Sequence, residues 1–503
     1  MRTDVVTYKN DVQRTGQNTT ESVLIPSNVT SSTFGLLRNL QVDGKVDAQP
    51  LYLSQLTVGG GSHNVVFIAT ENGSVYAFDS DSGAVLWMVS LIGSGETTSD
   101  ARGCNQVIPQ IGITSTPVID RTAGAHGTLF TVAMSKDASG NYHQRLHALD
   151  VTTGAEMTGS PQSISATYQS TSFAPGQYEE RAALLLLNGT IYTSWTSHCD
   201  IAPYGGWLIA YSEGTLAQSA VLNVGPGAAG FGGASQGPGI WMSGDGPAAD
   251  AAGNIYVLTG NGPFETTLNP NGFPSGNDFG NSFLKLSTSG GGLVVSDYFA
   301  QWNDVTESAS DADLGSGGML LLPDLTDGTG TVRHLAVGAG KDGALYVVSR
   351  DSMGKYNATT NNIWQELDGA LPGGVWSTPA YFNGVVYYGP QGGSLKAFAV
   401  SNALLSTNPT SQSATQFGFP GTSPVISANG TSNAIVWTYE NAALAVLHAY
   451  DASNLSHELY NSNQAANGRD QFGAGNKFIA PTVADGKVFV ATTGSVAVFG
   501  LLQ

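Results

Sequence analysis

Two aspartates, Asp311 and Asp313, stand one residue apart in a loop rich in Ser, Asp and Gly. A carboxylate within hydrogen-bond reach of a substrate proton can act as a general base, although solvated loops carry such residues routinely. Lys341 lies in a Gly-Lys-Asp-Gly turn, where an ordinary hairpin would also place it, in a chain poor in basic residues. Asn261 precedes Gly262-Pro263 and suits a turn as well as a ligand position. Trp241 suits the floor of a binding site or packing between blades. His198-Cys199-Asp200 is the most unusual cluster. Structural zinc needs three or four ligands at suitable spacing, and only His198, Cys199 and the distant Cys104 are at hand. A disulfide between Cys104 and Cys199, two free thiols, or metal use are the readings open to it, the disulfide suiting an oxidising compartment. Arg145, Arg181 and His143 are further polar groups with no motif behind them.

Composition limits what these residues can serve. The 503-residue chain has 65 glycines and only 11% charged residues, which suits a turn-rich all-β protein. Its 38 acidic and 19 basic residues leave a net charge of −19, which argues against a nucleic-acid partner. No apolar run reaches the roughly 18 residues of a membrane helix, so a soluble protein is expected. With two cysteines and no CxxC or CxxCH, neither a zinc ribbon nor covalently attached haem is encoded.

The elements that must position these residues repeat. The stretch 66–87 reads as a strand, an Asn72-Gly73 turn, a strand ending in Ala77-Phe78-Asp79, a Ser82-Gly83 turn and a strand ending at Trp87. The Asp79 position recurs at Asp150, Ser212, Ser287, Ser349, Ala399, Asp451 and Gly500, mostly with a short apolar strand upstream. Eight units of four antiparallel strands describe an all-β, eight-bladed propeller forming one domain over 1–503. The last copy stops after its third strand. The N-terminal segment, about 1–47, contains the strand-like run Phe34-Gly35-Leu36-Leu37-Arg38-Asn39-Leu40, which is expected to complete it and close the ring, with blades running from about 48 to 503. The extra length of blades 2 to 5 falls in loops 91–110, 160–180, 225–239, 263–281 and 301–316, so chemistry is expected on one face over blades 2 to 6.

The phrase AFDSDSGAVLW resembles the tryptophan-docking repeat of the pyrroloquinoline quinone (PQQ) enzymes. Between Tyr192 and Trp376 several phrases follow the order found in PQQ-dependent alcohol dehydrogenases. Gly239-Ile240-Trp241 and Thr259-Gly260-Asn261-Gly262-Pro263-Phe264 are similar to that family's floor tryptophan and its following Asn phrase. The resemblance implies Trp241 under the quinone and Asn261 on Ca²⁺. It implies a base at Asp311 first and Asp313 second, Lys341 at the quinone oxygens, and a match at Gly373-Gly374-Val375-Trp376. Two departures stand out. The family's adjacent-cysteine disulfide is missing, since only Cys104 falls in that region. The family's Ca²⁺-binding glutamate falls near Asp200, a carboxylate that Ca²⁺ would also accept.

The resemblance therefore implies a secreted or periplasmic quinoprotein dehydrogenase oxidising an alcohol or sugar with PQQ and Ca²⁺. Without a haem domain, electrons would pass to an external acceptor. The alternatives are a carbohydrate-active hydrolase or lyase on the same face, and a non-catalytic propeller that binds protein or glycan.

Overall fold

In the computed structural model, which describes residues 3–202, 204–226 and 237–502, the stretch 66–87 lies in three antiparallel strands. These are Gly61–Ala69, Ser74–Asp79 and Val85–Ser90. Gly73 and Gly83 turn at φ +73° and +80°, conformations that a side chain would strain. All of Ser74–Asp79 is buried, so the expected in–out alternation is lost there. Inner strands have a neighbouring blade on both faces, whereas the outer strand Val85–Ser90 stays partly exposed.

This pattern repeats as eight antiparallel sheets, an eight-bladed β-propeller. The eighth sheet takes three strands from the C-terminus and its outer strand, Phe34–Gln41, from the N-terminus. Phe34 pairs with Leu501 and Gln41 with Ser495. The ring is therefore closed as the sequence implied, and the last blade's edge is covered. The repeat residues have separate roles. Asp79 accepts backbone N–H groups of Asp81 and Ser82 at 3.0 and 2.6 Å and so holds its turn. Trp87 at the repeat's end donates from Nε1 to Val151 O of the next blade at 3.0 Å. It packs where a Cβ on Gly154 would lie 2.6 Å from its ring. Trp364 makes the same kind of bond to Ala403 O at 2.7 Å.

The N-terminal segment also does something the repeat pattern does not announce. Residues 5–18 run around the axis and bond to the innermost part of every blade. Val5 N–H donates to Tyr52 O at 2.8 Å, and Val6 O accepts from Ile119 at 2.9 Å. The carbonyls of Val12, Gln13, Thr15 and Gly16 accept from Ala249, Leu321, Tyr381 and Ile426 at 2.8–2.9 Å. Arg14 Nη2 donates to Leu184 O at 3.2 Å and Asn18 Nδ2 to Val483 O at 2.9 Å, which completes the circuit. Lys9, Arg14 and Asp245 are fully buried along this belt. Burial pushes Asp245 up and Lys9 down, each partly offset by the charges around it. Among the described residues no helix is long and apolar enough to cross a membrane. Most of loop 225–239 lies outside the described residues.

Candidate active site

At one mouth of the ring the blade loops enclose a cavity of about 1000 Å³, counted out to open solvent. Trp241, Asn261, Lys341, Trp376, Asp200 and Asp313 all line it. They converge because each follows or precedes an inner strand at the same end of its blade. Asn261 follows Ile255–Leu258, and Lys341 follows Leu335–Ala339. The loops are tied together at the base, with Gly260 N–H on Gly239 O at 2.8 Å and Lys341 N–H on Asp313 O at 2.8 Å.

The charged centre is a lysine between two carboxylates. Lys341 Nζ lies 2.7 Å from Asp311 Oδ1 and 2.6 Å from Asp313 Oδ2. Asn261 supports both, its backbone N–H on Asp313 Oδ1 and its Nδ2 on Asp311 Oδ1 at 2.9 Å. The two aspartates differ sharply. The Asp313 side chain is 9% exposed and lines the cavity, whereas that of Asp311 is 74% exposed and reaches Lys341 from outside. Asp311 takes a left-handed φ of +61°, which turns the chain so that one side chain points out and the other in. Burial pushes Asp313 up, with Lys341 opposing it. Burial works against the charge on Lys341 too, but Asp313 and Asp311 outweigh it and its pKa is raised.

An aromatic arc forms another side. Trp241 meets Phe478 edge-on at 5.7 Å, Phe478 meets Phe419 at 6.3 Å, and Phe419 meets Trp376 at 5.8 Å. All four rings line the cavity. Phe478 holds φ +64°, an uncommon conformation for a bulky residue. Such backbone strain often marks functional sites.

Three further cations face the same space: Lys45, Arg181 and Lys477. Arg181 is buried, its Nη1 reaching Thr114 O at 3.4 Å while Nη2 has no hydrogen-bond partner. Its guanidinium lies 5.4 Å from the Phe478 ring. Lys477 donates to Gln106 O at 3.0 Å, and burial followed by repulsion from Lys45 lowers its pKa. Of the residues named from sequence without a motif, only Arg181 is here. Arg145 pairs with Glu96 at 2.6 Å, and His143 with Asp137 at 3.2 Å, on blade 2.

Cys104 and Cys199 are joined in a disulfide with Cα atoms 6.1 Å apart. It ties loop 101–110, whose Gln106 and Val107 line the cavity, to blade 3. His198 beside it donates from Nε2 to Ala101 O at 2.9 Å and meets Glu179 at 3.3 Å. Burial disfavours the imidazolium, but Glu179 outweighs it and raises the pKa. Among the described residues, Cys104, His198 and Cys199 are the one convergent group of potential metal ligands, and both its sulfurs are spent on each other. Asp200 lines the cavity and accepts from Tyr204 at 3.3 Å. Sequence reasoning missed Lys45, Lys477, Phe419, Phe478 and Glu179. They come from the entry to blade 1 and from blades 3, 7 and 8, so the site extends beyond blades 2 to 6.

No sequence-family profile matches the chain, and no curated protein matches it. Solved structures do. The quinohemoprotein alcohol dehydrogenase of Comamonas testosteroni superposes with a TM-score of 0.62 at 16% identity, over 99% of this chain and 80% of that one. Quinohemoprotein alcohol dehydrogenase ADHIIG of Pseudomonas putida HK5 gives 0.63 at 15% identity, over 99% and 80%. A europium-containing methanol dehydrogenase gives 0.50 at 14% identity, over 99% and 98%. The chain has the eight-bladed propeller fold of the quinoprotein alcohol dehydrogenases.

Proposed function

We propose that the protein is a quinoprotein dehydrogenase that oxidises an alcohol or sugar with PQQ and a divalent cation. The observation that carries this reading is Arg181, a buried guanidinium with an unpaired Nη2 in the wall of a cavity lined also by Lys45 and Lys477. An unpaired buried donor of this kind costs stability unless an anion meets it. PQQ is a flat tricarboxylate. The cations fit its carboxylates, and the arc from Trp241 to Trp376 fits its ring faces.

For the cation, the cavity wall carries oxygen donors of the kind that Ca²⁺ takes at Asp200 and Asn261. These two residues would be its ligands. Bound PQQ would supply the two-electron acceptor that no side chain provides. The chain's own residues do the rest. Arg181, Lys45 and Lys477 would hold the carboxylates. Asp313 takes the substrate's hydroxyl proton, and the Lys341 ammonium favours its ionised form against the effect of burial. The aromatic arc excludes water. The external electron acceptor and an exported location complete the reading, the latter supported by the disulfide.

The test is a thermal-shift titration with PQQ, with and without Ca²⁺. Ligand at 100 times its Kd adds about 2.7 kcal/mol to a folded state it binds alone. A Ca²⁺-dependent rise in Tm, lost in Trp241→Ala and Arg181→Ala, is the expected result. No shift in protein free of quinone would remove the reading.

A further inference from the structure

The wall between this cavity and its neighbour holds a carboxyl pair that the reaction above does not use. A second cavity of about 1220 Å³ on the same count shares Lys45, Gln106 and Lys477 with the first. Asp47 faces the first cavity and Glu71 the second, and both are buried. Their positions are built in. Glu71 N–H donates to Lys45 O at 2.8 Å, Gly112 N–H to Glu71 Oε2 at 2.9 Å, and Asn476 Nδ2 to Asp47 Oδ1 at 2.7 Å. A Cβ on Gly112 would lie 2.5 Å from the Glu71 carbonyl oxygen, so this approach requires glycine.

Lys45 Nζ lies 3.1 Å from Asp47 Oδ2. With both acids ionised, Glu71 Oε1 would be buried without a hydrogen bond and Asp47 Oδ2 would meet only the Lys45 ammonium. One proton on Glu71, bonded to Asp47, satisfies both oxygens and avoids two adjacent charges. The charges facing them agree with this. Lys45 and Arg181 favour the ionised form of Asp47, whereas on Glu71 the Asp47 charge favours the protonated form and Lys45 opposes it. Tyr439 lies near Asp47, and Lys477 and Asp43 stand on the outer cavity's wall.

We propose that Asp47 and Glu71 share one proton across this wall and carry protons from the principal cavity to the outer one. The source of those protons rests on the dehydrogenase reading. Oxidising an alcohol to a carbonyl releases two electrons, for which a bound quinone would be the acceptor, and two protons, which must leave. A proton reaching Asp47 from the principal cavity makes the pair doubly protonated beside Lys45. The pair then gives one proton to water in the outer cavity from Glu71. Transfer from Asp47 to Glu71 restores the starting state, so one proton enters for each that leaves.

Infrared spectroscopy of the full chain, with Glu71→Gln and Asp47→Asn, tests the pair without any turnover. In the wild-type minus Glu71→Gln difference spectrum at neutral pH, the carbonyl band of a protonated carboxylic acid is expected, shifted in D2O, displaced in Asp47→Asn, and separate from any band of the buried Glu180 and Asp304. A difference spectrum without that band overturns the shared proton. In dye-linked alcohol oxidation with PQQ, Glu71→Gln is expected to keep KM, lose kcat, and recover it with small diffusible acids such as acetate. A folded Glu71→Gln enzyme turning over at the wild-type rate without buffer dependence overturns the proton path. Wild-type protein that shows the band but never turns over sinks the dehydrogenase reading, and the proton path with it.

Discussion

Lys341 Nζ sits 2.6 Å from Asp313 Oδ2, an ion pair at the edge of the cavity between residues delivered by separate loops of blade 5. Burial alone would drive Asp313 towards its neutral acid, which cannot accept a proton. The lysine opposes that shift. In Lys341→Met the Asp313 pKa rises further, so the acid limb of the kcat/KM profile moves to higher pH. A pH–rate series on the PQQ-loaded enzyme checks this, and an unmoved limb would remove Lys341 from the role.

Asp313 and Asp311 separate in the same assay. Asp313→Asn should lose about 10²–10⁴-fold in kcat, the usual contribution of a general base. Asp311→Asn, a change outside the cavity wall, should cost much less. Equal losses would mean that the outer carboxylate moves inward during turnover.

Arg181 places stability and binding in opposition. Replacing it with Met removes a buried donor that lacks a partner, so the ligand-free Tm should hold or rise. A charged hydrogen bond contributes about 1.5–3 kcal/mol, so PQQ affinity should fall roughly 10- to 150-fold. Calorimetry on both forms reads the two effects separately.

Arg14 behaves oppositely, being fully buried with four hydrogen bonds along the belt. Arg14→Met strands the carbonyls of Pro247 and Leu184 and leaves Asp245 short of a counter-charge. A loss of about 3–5 kcal/mol is expected from denaturant unfolding.

Below pH 5 the fold should weaken as its paired carboxylates protonate. Asp79 is held at about 2, because hydrogen bonds from His63, Ser82 and Asp81 overcome the opposing effect of burial. Glu96 is held at about 2, chiefly by Arg145. Both folded pKa values lie below the unfolded ones of about 4. Their stabilisation is therefore present above that range and lost as pH falls towards 2. Thermal melts between pH 6 and 2 should show a decline that is shallower in Asp79→Asn.

Closing 95 residues of sequence separation, the Cys104–Cys199 bond should contribute about 4–5 kcal/mol if the unfolded chain is open. Cys104→Ser/Cys199→Ser is expected to melt earlier and to bind PQQ more weakly, because loop 101–110 carries Gln106 and Val107 into the wall. A variant with wild-type Tm and affinity would show the loop to be held by its other contacts.

The sequence by itself determined the ring. Turn glycines, apolar strand runs and the recurring Asp79 phrase act over short distances, and an incomplete last unit implied closure by Phe34–Gln41. It also brought Trp241, Asn261, Lys341 and Trp376 to one cavity, since residues at equivalent ends of repeated strands must share a face. Only the tertiary structure decided which of Asp311 and Asp313 faces inward, because a single backbone turn at φ +61° separates them. It alone assembled Arg181, Lys45, Lys477, Phe419 and Phe478, which are far apart in the chain and share no local pattern. It alone revealed the belt of residues 5–18. That belt is made largely by backbone N–H and C=O groups, which every residue but proline offers in full, so side-chain patterning leaves little sign of it.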